Sequence, residues 1–320
     1  MRNNIKVVDL DQGLTDVEAK VVSLGNFDGV HIGHQKLMQT NIDLAKSMNL
    51  VPSVLLFKEN SKKTLTKESL YLTSIDDKIE MLADMGIEDF CILEFNDKFK
   101  SLSPLEFIRD ILYKKLNTKA VVVGGDYKFG KNASGNVDVL KKYEDEFSYK
   151  TKVVDFIYDG DEKVSSGTIR DLIKEAKIAK ANEYLARPYQ IRGTVTHGYK
   201  RGRTLNFPTA NLKLNYDYVI PADGVYLTRI NVKGKGHFAL TNIGKNPTFE
   251  NMDRKIETYI LDFSDEIYDE LISLEFLEFF RGDYKFNSAD ELIEQMEFDK
   301  KMAYDTIKNK YLESLQMLFY

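Results

Sequence analysis

Residues 20–35 read KVVSLGNFDGVHIGHQ, and the order of events in that stretch decides how the first half of the chain folds. A short β-branched run, Lys20–Leu24, leads into a turn carrying Gly25 and Gly29. From Gln35 to Met48 the apolar positions Leu37, Leu44, Ala45 and Met48 then fall on one helical face. "VPSVLLF" (51–57) reads as a buried strand, which completes a βαβ unit with its loop-to-helix junction at His31–Gln35. The grammar repeats. Ser74 is placed to cap a helix carrying Ile75, Ile79 and Leu82, with Gly86 as its stop, and "IEDFCILEF" (87–95) follows as a strand. "SPLEFIRDILYKKL" (103–116) has Ser103 as cap, Pro104 at the first helical position and Glu106 to complete a capping box. "AVVVGG" (120–125) and "KTKVVDF" (150–156) are further strands. This alternation predicts a Rossmann-like α/β domain, a parallel sheet with helices on both faces. Its ligand is expected at the carboxyl ends of the strands, where residues 25–34 and 124–130 fall.

After about Arg187 the pattern changes. "GVYLTRINV" (224–232), "HFALTNIG" (237–244), "IETYILDF" (256–263) and "LISLEFLEFF" (271–280) are short alternating stretches separated by glycine and asparagine turns. They predict a small antiparallel β-barrel. The tail, 288–315, reads as a long charged amphipathic helix with Leu292, Met296, Met302 and Ile307 among its apolar positions. Two domains are therefore expected, residues 1–186 and 187–320, in a chain of 320 residues.

Composition narrows the function. Charge is abundant but mixed, and a net value of −5 argues against a general nucleic-acid or membrane-surface binder. Cys91, the single cysteine, excludes an intramolecular disulfide and sits in an apolar run as a small buried hydrophobe. The N-terminal residues carry no apolar core of signal-peptide length, and no segment approaches a membrane span. A cytoplasmic protein is expected, with no nucleic-acid, membrane or obligatory protein partner.

"GNFDGVHIGHQ" (25–35) holds two of the chain's four histidines. Three chemistries fit it: a metal site, a phosphate site, or a turn with two solvated imidazoles. Zinc on His31, His34 and Asp28 lacks a fourth ligand. The phosphate reading explains more, because glycines let backbone approach an anion and the following helix offers unpaired amides. Two imidazoles at its entrance can then donate to a phosphate whose charge grows during transfer. "GDYKFGKN" (125–132) fits seven positions of a P-loop but ends in Asn132 where the magnesium-binding hydroxyl belongs, and it is rejected.

The stretch resembles the HxGH signature of the nucleotidyltransferase superfamily, in the form used by bacterial bifunctional riboflavin kinase/FAD synthetases. The resemblance implies that His31 and His34 contact the ATP phosphates, with Gly25, Asn26, Asp28 and Gly29 shaping the site. "GGDYKFGK" (124–131) is similar to that family's second loop near nucleotide and flavin, carrying Asp126 and Phe129. "VSSGTIR" (164–170) is similar to its serine-rich motif, which assigns Ser165, Ser166 and Arg170 to the triphosphate. Gly167 stands where the family usually has threonine, and "FKENSKK" (57–63) where it usually has a Pro-His-Pro segment.

In the second half, "GTVTHGYKRGRTLNFPTANL" (193–212) brackets cations between Gly198 and Gly202, which suits a loop folding over phosphates. Thr209 and Asn211, two apart on an extended segment, offer the neutral oxygens that Mg²⁺ accepts beside nucleotide phosphates. The segment resembles the flavokinase G-x-PTAN motif. That resemblance implies ATP or flavin contacts at Gly198, Lys200, Gly202, Arg203 and Pro208, with Thr209 and Asn211 at the magnesium. It also implies that Glu257 is the base and that Arg281 lies near flavin and nucleotide. "TNIGKNPTF" (241–249) and "FFRGDYKF" (279–286) match further family segments, so the likeness runs the length of the chain.

The implied function is phosphorylation of riboflavin to FMN by MgATP in the second domain and adenylylation of FMN to FAD in the first. Flavins are then substrates and products. Two rivals stay open at this point: a chain that keeps one activity, adenylyl transfer being the one lost, and a non-catalytic flavin-binding regulator.

Overall fold

The computed structural model describes residues 5–12, 18–58, 70–197, 207–245 and 254–311. Contacts divide the chain into two compact units, Met1–Thr168 and Ile169–Tyr320. The first is a six-stranded parallel sheet with order β1-β4-β3-β2-β5-β6. Its strands are β1 (Lys6–Asp9), β2 (Lys20–Leu24), β3 (Val51–Lys58), β4 (Asp89–Glu94), β5 (Thr118–Gly124) and β6 (Lys150–Val154). From β2 the chain proceeds outward through β3 and β4, then returns to place β5 on the other side of β2. The crevice beyond the carboxyl ends of β2 and β5 is therefore the topological switch point, where such sheets bind ligands. Both loops singled out from the sequence open there.

Period-two alternation splits the core across the sheet. Val22, Leu24, Val121 and Val123 face one side, packed with Phe107, Ile108, Ile111 and Leu112. Val21, Ala120 and Val122 face the other, packed with Leu37 and Met38 of α1 (Ile32–Met48) and Leu82 of α2 (Ile75–Met85). The expected helix boundaries hold. Ser74 and Asp77 form a capping box, and Gly86 ends α2 at φ +109°. Ser103 and Glu106 cap the helix that begins at Pro104. Cys91 is fully buried. Elements not anticipated include the edge strand β1, which has two exposed residues out of four, a hairpin of β7 (Tyr158–Asp159) with β8 (Glu162–Lys163), and the helices Val137–Lys142, Ser166–Lys174 and Ile178–Leu185.

The second unit closes a barrel of six antiparallel strands, order β10-β13-β12-β11-β14-β9. These are β9 (Tyr189–Thr196), β10 (Ala210–Leu214), β11 (Gly224–Val232), β12 (Lys235–Lys245), β13 (Arg254–Ile260) and β14 (Leu271–Gly282). Closure leaves no edge to protect. Thr228, Thr241 and Thr258 are fully buried inside and satisfy one another, at 2.8 Å and 3.0 Å between hydroxyls. Outward-facing Val225, Leu227, Leu240 and Leu277 pack with Ala303 of the C-terminal helix, Ala289–Thr306, which continues through Ile307–Tyr311. Among the described residues no helix is long and apolar enough to cross a membrane.

The helix Ile178–Leu185 precedes the barrel and is stitched to it. Asn182 Nδ2 donates to the Phe276 carbonyl at 2.8 Å, and its Oδ1 accepts from Tyr189 N–H at 2.7 Å. Asn182→Ala orphans both backbone groups, so unfolding of this unit should become easier by about 1–3 kcal/mol. Denaturant melts of residues 169–320 carrying either side chain measure it. Indistinguishable midpoints would mean that the stitch contributes nothing.

Candidate active sites

The first site grows from the turn after β2. Three of its four residues from Phe27 to Val30 have positive φ: Phe27 at 50°, Gly29 at 83° and Val30 at 42°. A β-branched residue in that region is strained, and such strain persists only where surroundings over-determine it. Asp28 supplies the surroundings. It is 1% exposed, and its carboxylate accepts from Leu72 N–H at 3.0 Å, Thr73 N–H at 3.1 Å and the Thr73 hydroxyl at 3.3 Å. Thr73 in turn accepts from Gly29 N–H, and Ser166 donates to the Asp28 carbonyl at 2.8 Å. The HxGH loop, the segment before α2 and the serine motif thus meet at one residue.

This tie changes several expected roles. Asp28 holds the loop from within, its carboxylate spent on backbone amides, so it is not free to ligate a metal. Among the described residues no group of three or more His, Cys, Asp or Glu is placed to hold one. Gly25 makes room for the Phe27 ring, which a Cβ would meet at 2.9 Å. Asn26 is exposed at the tip. Ser165 accepts from Thr168 N–H at 3.2 Å and so caps the start of the helix Ser166–Lys174; Arg170 lies one turn on from Ser166. A Cβ at Gly167 meets only Ser165 Oγ, at 3.6 Å, so the absent threonine methyl leaves no distortion behind.

His31 caps α1: its Nδ1 accepts from Gly33 N–H at 3.2 Å, which leaves the ring proton on Nε2. Gly33 is required by that ring, which a Cβ would approach to 3.1 Å. The two imidazoles stack at 3.7 Å between centroids, and Phe27 meets His34 edge-on at 5.3 Å. Burial first, then His31 and Lys78, hold His34 well below the usual histidine range. Burial disfavours charge on His34, so its ring is kept neutral beside His31. Its Nδ1 is buried without a hydrogen-bond partner among the described residues.

Across the switch point, Asp126 pairs with Lys163 at 2.6 Å, and Lys163 lies 3.5 Å over the Phe156 ring. Sequence reading missed Lys163, a cation in the short strand leading into the serine motif. Phe129 is buried, stacked with Tyr127 and tilted against Phe107, so it serves the core beneath the loop.

The second site is a matter of register. Asn211 lies directly opposite Glu257, Glu257 opposite Asn242, and Asn242 opposite Val225. Directly opposed residues share a face. Asn211, Glu257 and Asn242 therefore form a row of half-buried polar side chains on the outer wall, each without a side-chain hydrogen bond among the described residues. Asn242 had been read only as part of a family segment; register, which no linear pattern displays, brings it beside Glu257. Thr209 is half-buried and Pro208 exposed at the entry to β10, and Phe207 is buried against Tyr259 at 5.0 Å. Gly198, Lys200, Gly202 and Arg203 lie outside the described residues. Arg281 lies opposite Val225, three strands from Glu257, roughly 14 Å at the usual spacing of about 4.8 Å. Its guanidinium is bound to Asp299 of the C-terminal helix at 2.8 Å.

The profile of the FAD synthetase family matches residues 14–168, and that of the riboflavin kinase family residues 185–307. A bifunctional riboflavin kinase/FMN adenylyltransferase from Listeria monocytogenes is 40% identical over 90% of this chain and 92% of its own. One from Bacillus subtilis is 36% identical over 88% and 91%. A Streptococcus pneumoniae crystal structure titled as a macrolide-efflux protein superimposes with a TM-score of 0.84 at 31% identity, covering 94% of this chain and 99% of that one. With both profiles matched in series and relatives aligned over nine-tenths of their length, the chain belongs to the bifunctional riboflavin kinase/FMN adenylyltransferase family.

Proposed function

We propose that the chain makes FMN from riboflavin and FAD from FMN, using ATP twice at two separate sites. The observation that carries the reading is the presence of two unlike constellations, one per unit, each suited to one reaction. We assign adenylyl transfer to residues 1–186 and the kinase to residues 187–320.

In adenylyl transfer the FMN phosphate oxygen attacks the α-phosphorus of ATP; that P–O bond forms as the bond to the β-phosphate oxygen breaks and pyrophosphate leaves. The nucleophile is already anionic, so no base is needed, and positioning with charge stabilisation carries the rate. His31, its tautomer fixed by the helix cap, donates from Nε2, and the α1 amides add to the same field. His34 stays neutral beside it. Lys163, on the strand leading into the serine motif, adds a cation, and Ser166 holds the loop through the Asp28 carbonyl.

In the kinase reaction the riboflavin 5′-hydroxyl attacks the γ-phosphorus, ADP leaves, and Glu257 takes the hydroxyl proton. The neighbouring donors suit Mg²⁺: hard, neutral oxygens from Thr209 and Asn211, next to a carboxylate and short of the charge needed to hold a metal without nucleotide. Thr209 and Asn211 would hold Mg²⁺ together with ATP, and the ion supplies charge neutralisation at the phosphates. Asn242 stands directly opposite Glu257 on the adjoining strand.

Separating the two activities tests the assignment. Glu257→Gln should slow FMN formation by about 10²–10⁴ while FAD formation from supplied FMN is unchanged. His31→Ala should do the reverse, reducing FAD formation by about 10²–10³ and sparing the kinase. Chromatography of the flavins reads both, and loss of both activities in either variant would contradict two independent sites.

The neutral state of His34 has a stability consequence. Its folded pKa is depressed, so below about pH 6.5 the unfolded chain binds the proton that the folded chain refuses. Stability is lost as pH falls through that value. The first unit's melting temperature should therefore drop between pH 7 and 5.5 more steeply in the wild type than in His34→Gln. Parallel curves would show that His34 titrates normally.

A further inference from the structure

The C-terminal helix buries an aspartate. Asp299 is 3% exposed in its side chain, on the stripe that carries Ala303 into the barrel wall. A buried carboxylate is tolerated only when its oxygens are satisfied. Here Oδ1 accepts from Arg281 Nε at 3.1 Å and Gln295 Nε2 at 2.8 Å, and Oδ2 from Arg281 Nε at 3.1 Å and Nη2 at 2.8 Å. The guanidinium is fixed in a second direction by Tyr284, whose ring centroid lies 4.8 Å away. One edge is thus bound to carboxylate and one face to an aromatic ring. The remaining N–H donors point away from Asp299, and Nη1 has one further bond, to the Gly282 carbonyl at 3.2 Å.

A merely structural role explains this poorly. Apolar contacts at Ala303 already hold the helix on the barrel, and a buried ion pair contributes no more than well-packed apolar residues of the same size. What the pair adds is orientation of a planar cation. Arg281 lies in the same register row as Glu257, three strands away around the six-stranded barrel. We propose that Asp299 is a positioning residue of the kinase site: it holds Arg281 so that its outward edge meets a phosphate or carbonyl oxygen of the flavin–nucleotide pair. The inference rests on the reading that Arg281 contacts ligand. Helix docking and kinase competence are then one event, because the helix carries the carboxylate.

Steady-state phosphorylation of riboflavin by the full-length chain tests this with Arg281→Ala, Asp299→Asn and the double variant. Asp299→Asn keeps the shape but loses the charge that grips the fork. It should lower kcat/KM about 10- to 100-fold, the scale of a misplaced positioning group, with FAD formation from supplied FMN unchanged. Arg281→Ala should lose a comparable factor, and the double variant should be no worse than Arg281→Ala, since the carboxylate acts only through the arginine. Losses that multiply would overturn the proposal, as would Asp299→Asn at wild-type kcat/KM beside an impaired Arg281→Ala. An unimpaired Arg281→Ala would instead sink the reading that Arg281 contacts ligand. Where Asp299→Asn fails to fold, Gln295→Leu leaves both charges in place and should show a smaller loss of kcat/KM in the same direction; wild-type kinetics there would overturn the proposal.

Discussion

The carboxylate of Asp28 is the point on which the first unit's chemistry depends. It is buried, and it replaces water with the amides of Leu72 and Thr73, while its own carbonyl receives Ser166. A carboxylate hydrogen-bonded by backbone N–H groups is among the stronger non-covalent ties available to a loop. It pulls together segments more than forty and more than a hundred residues apart in sequence, and it holds Phe27, Gly29 and Val30 at positive φ. The outcome is the placement of His31 at the entrance of α1, with Nδ1 committed to the cap. Without that anchor the imidazoles would belong to an ordinary turn.

The second unit solves its problem with a closed sheet. Strand register aligns Asn211, Glu257 and Asn242 without any of them bonding another, and the threonine chain inside the barrel fixes that register from the opposite face. A slip of one residue would send every member of the row inward, among Ile256, Ile243 and the buried threonines. Rigid strands, not loops, therefore carry this row. The two units need no common machinery: one supplies imidazoles, backbone amides and a helix dipole, the other a carboxylate and neutral oxygens.

Much of this was legible in linear order. Hydrophobic alternation and capping residues located β2 through β6 and the two capped helices, because local chemistry and tertiary fold agree there. What could not be read were interactions whose partner is distant. Gly25 suggested approach to a ligand, and nothing in the linear order showed that it also makes room for the Phe27 ring, or that Gly33 makes room for His31. The strand β1 was passed over because an edge strand of four residues with half its side chains in water carries almost no pattern. The C-terminal helix was found from its apolar positions. Yet Leu292, Met296 and Met302 are only half-buried, while Asp299 is among its most buried residues; an aspartate is the last residue a hydrophobic pattern would select. Arg281 explains it, from a strand eighteen residues earlier.

The most direct test of the two-site account follows the phosphorus atoms. Purified full-length protein is given riboflavin, Mg²⁺ and ATP labelled separately at the γ- or the α-phosphate, and the flavins are separated over time. The account predicts that γ-label enters FMN first and is carried into FAD, whereas α-label appears only in FAD, after FMN has accumulated. Label from the γ-position in FMN with no α-label in any flavin, or no label in either, would contradict it.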